Sequence, residues 1–194
     1  MALASRARVG CSTSVDRVIP EGYAIRPLVK TDAADSARAY RRNRVHLQPW
    51  EPRRDEAFYT ERGQAAAIAG QLAAQQAGTL AAFVITRGDA IVGRLNLNNI
   101  IRGVLQSASI GYWVDLDHLR RGLATAAVAF ACEEAVRLGL HRVEAGTQVD
   151  NEPSQRVLLR SGFEQFGLAR NFLYINGAWR DHTLYERILH DAPL

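Results

Sequence analysis

The chain has 194 residues, 47% apolar and 23% charged, which fits one globular domain with its own core and excludes a multidomain machine, a disordered tail protein or a fibrous repeat. No apolar run reaches the roughly 18 to 20 residues of a membrane span, and Cys11 and Cys132 are too few and too distant for a disulfide framework, as expected of reduced, cytoplasmic thiols. The net charge of +4, from 24 basic and 20 acidic residues, rests on arginine, because Lys30 is the sole lysine.

Guanidinium forks suit phosphate and carboxylate recognition, whereas a GC-rich coding sequence accounts for the arginine total, so position must decide. Residues 1–22 carry Arg6, Arg8 and Arg17 with no continuous apolar stretch before Cys11. They read as a weakly structured extension rather than a secretory signal. The domain is then expected over 23–189, with 190–194 as a tail.

Tyr23 to Leu28 reads as a short strand ended near its proline, and Thr31-Asp32 opens a helix to about Arg44. His46 to Pro52 is a proline-broken loop, and Phe58 to Gln76 a second helix. Thr79 to Thr86 and Ala90 to Asn98 form a hairpin around Arg87-Gly88-Asp89, and Ser107 to Val114 is a third long strand. Leu123 to Leu138 is the clearest helix, with Val128, Ala131, Cys132, Ala135 and Leu138 on one face and Gly139 as its stop. His141 to Thr147 reads as a strand, Pro153 to Ser161 as a short helix, and the end as a hairpin around Asn176-Gly177. Strands and helices in this order imply an α/β (α+β) architecture, a mixed, mostly antiparallel sheet of six to seven strands with helices on both faces.

Between Val114 and the long helix lies His118-Leu119-Arg120-Arg121-Gly122-Leu123-Ala124-Thr125. The first amides of a helix have no intrahelical acceptor and sit at its positive end, so such a junction can hold a diphosphate. Gly122 lets a ligand approach the backbone, Ala124 leaves the amides unshielded, and Arg120 and Arg121 add charge.

Ile110-Gly111-Tyr112-Trp113-Val114, Gly122-Leu123-Ala124-Thr125, Asn151-Glu152-Pro153-Ser154 and Ser161-Gly162-Phe163 resemble, in order and spacing, the GNAT acyl-CoA-dependent N-acetyltransferases. His46-Leu47-Gln48-Pro49-Trp50 and the ending Tyr174 to His182 are similar to the RimJ/RimL type, the ribosomal-protein alanine N-acetyltransferases and their relatives. The resemblance covers about Tyr23 to Leu189. It implies that acetyl-CoA lies where the third long strand and the next parallel strand splay apart. Its pantetheine arm would pair with the backbone of Trp113 and Val114, its diphosphate would sit on the amides of Arg120, Arg121, Gly122, Leu123, Ala124 and Thr125, and Asn151 would hold the arm from the other side. The family's Gln or Arg three places before the glycine is Leu119 here, so Arg120 or Arg121 is expected to compensate.

Direct transfer requires a neutral amine, an oxyanion donor and a hydrogen bond to the departing sulfur. Many members of the family use a tyrosine for the last task, and that place is Leu158; the resemblance to the RimJ/RimL type gives the task to Ser154. Glu144, on the strand after the long helix, and Glu51, beside Trp50, are the candidate carboxylates for the amine. Trp50, Tyr174 and Trp179 would form an aromatic wall for the acceptor, with Glu51 or Asp181 attracting its ammonium. The five histidines do not show metal-ligand spacing with either cysteine.

The resemblance therefore implies transfer of an acetyl group from acetyl-CoA to a primary amine, first among them a protein or peptide N-terminus such as a ribosomal alanine. Acetylation of a small amine or antibiotic, and a non-catalytic acyl-CoA-binding regulator, are the rivals. The arginines are scattered beside acids, as in Arg53-Arg54-Asp55-Glu56, without the aromatic interleaving of a nucleic-acid groove. No nucleic-acid or membrane partner is expected, and the terminal hairpin would suit a homodimer.

Overall fold

The computed structural model describes residues 17–19 and 22–191. Strands β1 (Arg17–Ile19) and β2 (Tyr23–Pro27) lead into helices α1 (Ala33–Arg42), α2 (Arg44–Leu47) and α3 (Glu61–Gln76). Strands β3 (Ala81–Arg87), β4 (Ala90–Ile101) and β5 (Ser107–Val114) follow, then α4 (Leu123–Arg137), β6 (Arg142–Gln148), α5 (Glu152–Arg160), β7 (Glu164–Ile175) and β8 (Ala178–Ile188). The strands form one sheet in the order β1-β2-β3-β4-β5-β6-β8-β7. Every pairing is antiparallel except that of β5 with β6.

The mixed sheet matches the expected fold, with one strand more than the sequence suggested. That strand is β1, which pairs with β2 from Arg17↔Ile25 to Ile19↔Tyr23. It comes from the segment expected to be an extension, and Ile19 is buried in the core. The rest of that segment, Cys11 included, lies outside the described residues apart from Gly22.

Period-two alternation distributes the core over both faces of the sheet. Ala82 and Val84 of β3 pack with Leu28, Ala33, Ala39 and Ile68 under α1 and α3. Phe83 and Ile85 turn to the opposite face, where Val128, Ala131, Cys132 and Ala135 of α4 meet Leu95, Leu97 and Val143. The α4 stripe read from the sequence is therefore the core stripe, and Gly139, at φ +73°, ends the helix.

The first expected helix is interrupted. Lys30–Asp32 is a 3-10 turn, α1 stops at Arg42, and α2 begins after Asn43. Asn43 is committed elsewhere: its Nδ2 donates to the Ala39 carbonyl at 3.0 Å and to Asp115 at 2.8 Å, and its Oδ1 accepts from the Leu116 amide at 2.9 Å. The second helix also starts later than expected, because Thr60 is extended and its hydroxyl caps α3 by accepting from the Gly63 amide at 3.0 Å.

The feature that opens a site is the short parallel ladder. Strands β5 and β6 pair only at Ser107↔Arg142, Ala108↔Val143 and Ser109↔Glu144. Beyond it, β5 continues against β4 as far as Gly93↔Val114, and β6 continues against β8 as far as Gln148↔His182. The two strands diverge, leaving one edge of each facing a wedge.

Candidate active site

The wedge holds two joined cavities. One, of about 260 Å³, is walled by Leu47, Trp113, Val114, Leu119, Ala124 and Val157 among others. The second, of about 500 Å³, is more polar and reaches Asn96, Asn98, Gly146, Thr147, Tyr174 and His182. Trp50, Glu51, Tyr112, Asn151 and Ser154 line both and mark the passage between them.

At the mouth of the first cavity, Gly122 adopts the left-handed conformation (φ +76°) as the N-cap of α4, and no side chain caps it. A β-carbon built there would meet nothing within 4 Å. The Ala126 amide donates to the Gly122 carbonyl at 2.9 Å, and the amides of Leu123, Ala124 and Thr125, which precede it, face outward by helix geometry. Leu123 is buried and anchors this helix start in the core, while Arg120 and Arg121 are exposed at the rim. Open amides, a glycine with free space and two guanidiniums suit a diphosphate. The bare cleft edge of β5 at Trp113 and Val114 suits an extended amide-bearing arm. These residues fit the acetyl-CoA that the sequence resemblance implied.

The loop before α4 is fastened by Asp115, which is fully buried. It accepts from Arg42 Nε at 2.7 Å, Asn43 Nδ2 at 2.8 Å and the Asp117 amide at 3.0 Å. Burial alone would raise its pKa, but the hydrogen bonds from Asn43 and Arg42 outweigh it and hold the carboxyl below its usual value.

On the opposite wall, Asn151 Oδ1 accepts from the Ser154 amide at 3.2 Å, capping α5, while both side chains line the passage. Ser154 Oγ lies 2.9 Å from the Tyr112 hydroxyl. Leu158 is buried below and lines the second cavity, so the phenol beside Ser154 comes from β5 instead of from α5. The sequence places Tyr112 on the face of Ile110 and Val114 but carries no local signal that α5 will lie over it.

Glu51 also lies at the passage. Burial raises its carboxyl pKa, with the Arg54 and Arg94 guanidiniums pulling the other way. Its neighbour Tyr40, which accepts from Trp113 Nε1 at 3.1 Å, is another lining residue the sequence reading missed.

Two candidates are placed elsewhere. Glu144 lies where β6 still pairs with β5, before the divergence, and its Oε1 is 2.9 Å from Arg142; it lines neither cavity. Of the two candidate carboxylates for the amine, Glu51 lines the passage and Glu144 does not. Asp181 accepts from the Asn171 amide at 2.8 Å, fastening an irregularity between β7 and β8, and is also absent from the cavity walls. Trp50 and Tyr174 do line the second cavity, and Trp179 backs Tyr174 with ring centroids 5.6 Å apart.

A family model described as acetyltransferase (GNAT) domain matches residues 24–164. The "Probable N-acetyltransferase YjcK" of Bacillus subtilis (strain 168) is 36% identical over 164 residues, 82% of this chain and 90% of that protein. The crystal structure of the ribosomal-protein-S5-alanine acetyltransferase from Vibrio fischeri superposes with a TM-score of 0.86 at 33% identity, covering 91% of this chain and 98% of the other. Mycobacterium smegmatis RimJ in complex with CoA-disulfide gives a TM-score of 0.82 at 35% identity, covering 86% of this chain and 81% of that one. Sequence, topology and cleft agree, and the chain belongs to the GNAT family of acetyl-CoA-dependent N-acetyltransferases, within its RimJ/RimL-like branch.

Proposed function

We propose that this enzyme acetylates the α-amino group of a protein or peptide N-terminus, a ribosomal protein beginning with alanine being the first candidate. The observation that carries this reading is the position of Glu51, a half-buried carboxylate of raised pKa at the passage between an acyl-CoA cavity and a larger polar one. An α-amine has a pKa of about 7.7 to 8.0, so roughly a quarter is neutral at pH 7.4, against about 0.1% of a lysine side chain. A carboxylate suffices to take up the proton released by such an amine as it reacts; a lysine would need a stronger base. The name of the S5-alanine relative from Vibrio fischeri points to the same acceptor class.

Acetyl-CoA supplies the activated acetyl group when bound. The backbone of Trp113 and Val114, the amides of Arg120 to Thr125, the two arginines and Asn151 hold and orient it. Trp50 and Tyr174 shape the acceptor side, and Glu51 attracts the ammonium and accepts its proton. Ser154 Oγ–H donates a hydrogen bond toward the departing sulfur.

The test is release of free thiol from acetyl-CoA with a panel of acceptors: short peptides beginning with alanine or serine, the same peptides blocked at the N-terminus but bearing lysine, and small amines. Free-N-terminal peptides are expected to be acetylated, with mass spectrometry placing the group on the first residue. Turnover only with small amines would overturn the reading.

A further inference from the structure

Tyr112 has no task in the scheme above, yet its hydroxyl lies 2.9 Å from the one proposed to meet the leaving sulfur. It stands on β5, where the free strand edge faces the wedge, and lines both cavities. We propose that Tyr112 is a positioning residue that donates its hydroxyl proton to Ser154 Oγ, leaving the Ser154 proton directed into the passage between the cavities. This rests on the proposed role of Ser154.

The direction follows from the chemistry of the two hydroxyls. A phenol is the stronger donor and an alkyl hydroxyl the stronger acceptor. Burial pushes the Tyr112 phenol up to about 12, against the pull of its bond to Ser154, so the proton stays on Tyr112 across the working pH range. A serine hydroxyl has a single proton and rotates freely in the absence of a partner. Once its oxygen accepts from Tyr112, that proton must point elsewhere, and a chain of hydrogen bonds polarises it further. The Ser154 amide is already bound to Asn151 Oδ1 at 3.2 Å, which keeps the first turn of α5 in place.

In the reaction the amine nitrogen bonds to the acetyl carbon, the carbon–sulfur bond breaks and its electron pair goes to sulfur. The amine proton goes to Glu51 and then to water. Ser154 donates a hydrogen bond to the thiolate and keeps its proton, as does Tyr112, so neither hydroxyl is consumed.

The test compares Tyr112→Phe, Ser154→Ala and the double variant with the same acceptor peptide. Tyr112→Phe is expected to lower kcat about tenfold while leaving the KM for acetyl-CoA within about twofold, and to add nothing in the Ser154→Ala background. A fluorinated tyrosine of lower pKa at position 112 should bring activity down at a lower alkaline pH, because a phenolate cannot donate, and this shift should vanish when Ser154 is alanine. Full turnover of Ser154→Ala overturns the role of Ser154 and this inference with it. A slow Ser154→Ala enzyme beside a fully active Tyr112→Phe enzyme overturns this inference alone. So does a further loss on adding Tyr112→Phe to Ser154→Ala, since its effect would then not pass through the serine.

Discussion

The Asn176 amide donates to the Glu51 carbonyl at 3.2 Å, so the tip of the terminal hairpin holds the loop that carries this half-buried carboxylate. From the other side, Gln148 Nε2 at the end of β6 donates to the Pro49 carbonyl at 2.8 Å. The hairpin turn and the end of β6 thus tether one short loop from two sides, and Glu51 stays in the passage despite the cost of partly burying it.

That cost leads to a prediction for Glu51→Gln. Because burial raises the folded-state pKa of Glu51 above the unfolded value of about 4.3, the folded state binds more protons between the two values. Stability contributed by this group is therefore present below about pH 4.3 and lost as pH rises through the folded pKa. Glutamine has no such loss. The variant is expected to melt at a higher temperature than the parent near pH 7.5, with the gap closing at pH 4, while turnover falls tenfold or more. Melting curves at the two pH values check the first part; a lower melting temperature at pH 7.5 would show that the carboxylate stabilises the fold.

Asp115 is the opposite case. Its folded pKa is depressed, so its contribution is present at neutral pH and lost as pH falls through that depressed value, below about 3.9. Asp115→Ala would leave Asn43 Nδ2 and Arg42 Nε without their shared acceptor. Discounted for the partial exposure of Arg42, the expected loss is about 2 to 4 kcal/mol in denaturant unfolding. Acetyl-CoA affinity should fall as well, because the 3-10 turn Leu116–His118 that leads to the anion loop starts at this aspartate. Unfolding unchanged within 0.5 kcal/mol, an estimate at the scale of ordinary surface substitutions, would remove Asp115 from this role.

How far the sequence alone reached follows the range of the interactions. Local periodicity and turn chemistry placed β5, the α4 stripe and the Asn176-Gly177 turn, whose residues both have positive φ. The anion loop was legible for the same reason, since Gly122 and the α4 start are neighbours in the chain. That Glu144 lies within the parallel ladder was not legible, because alternation gives its face but not where that ladder ends. The Tyr112–Ser154 bond spans 42 residues, and the Asp115 cluster joins α1 to β5 across more than 70. No spacing rule encodes either. Asn43 broke the first helix for a similarly distant reason, its carboxamide being held by Asp115 and the Leu116 amide.

Gly122→Ala separates backbone strain from ligand contact. A β-carbon there meets no neighbour, so the cost to folding is only that of a left-handed alanine, about 1 kcal/mol. The same β-carbon projects into the space where a diphosphate would reach the α4 amides. Acetyl-CoA binding measured by calorimetry is expected to weaken at least tenfold, more than the strain alone would give. A loss of binding no larger than the loss of stability would place the diphosphate elsewhere.

Arg120 holds φ +60°, a conformation that L side chains adopt reluctantly, two residues before Gly122. Arg120→Gly should therefore relieve local strain and leave stability equal or slightly higher, while removing one positive charge from the rim. If the strained arginine is kept for the anionic cofactor, acetyl-CoA affinity should drop severalfold at low salt. Arg121→Ser should produce a similar drop without the gain in stability. Both effects should shrink as ionic strength rises toward 1 M, where the Debye length falls to about 3 Å. Titrations of each variant at two salt concentrations provide the check: affinity equal to the parent's at low salt would leave the arginine excess of this chain to codon bias, and a salt-independent loss would point to an altered loop shape instead of charge.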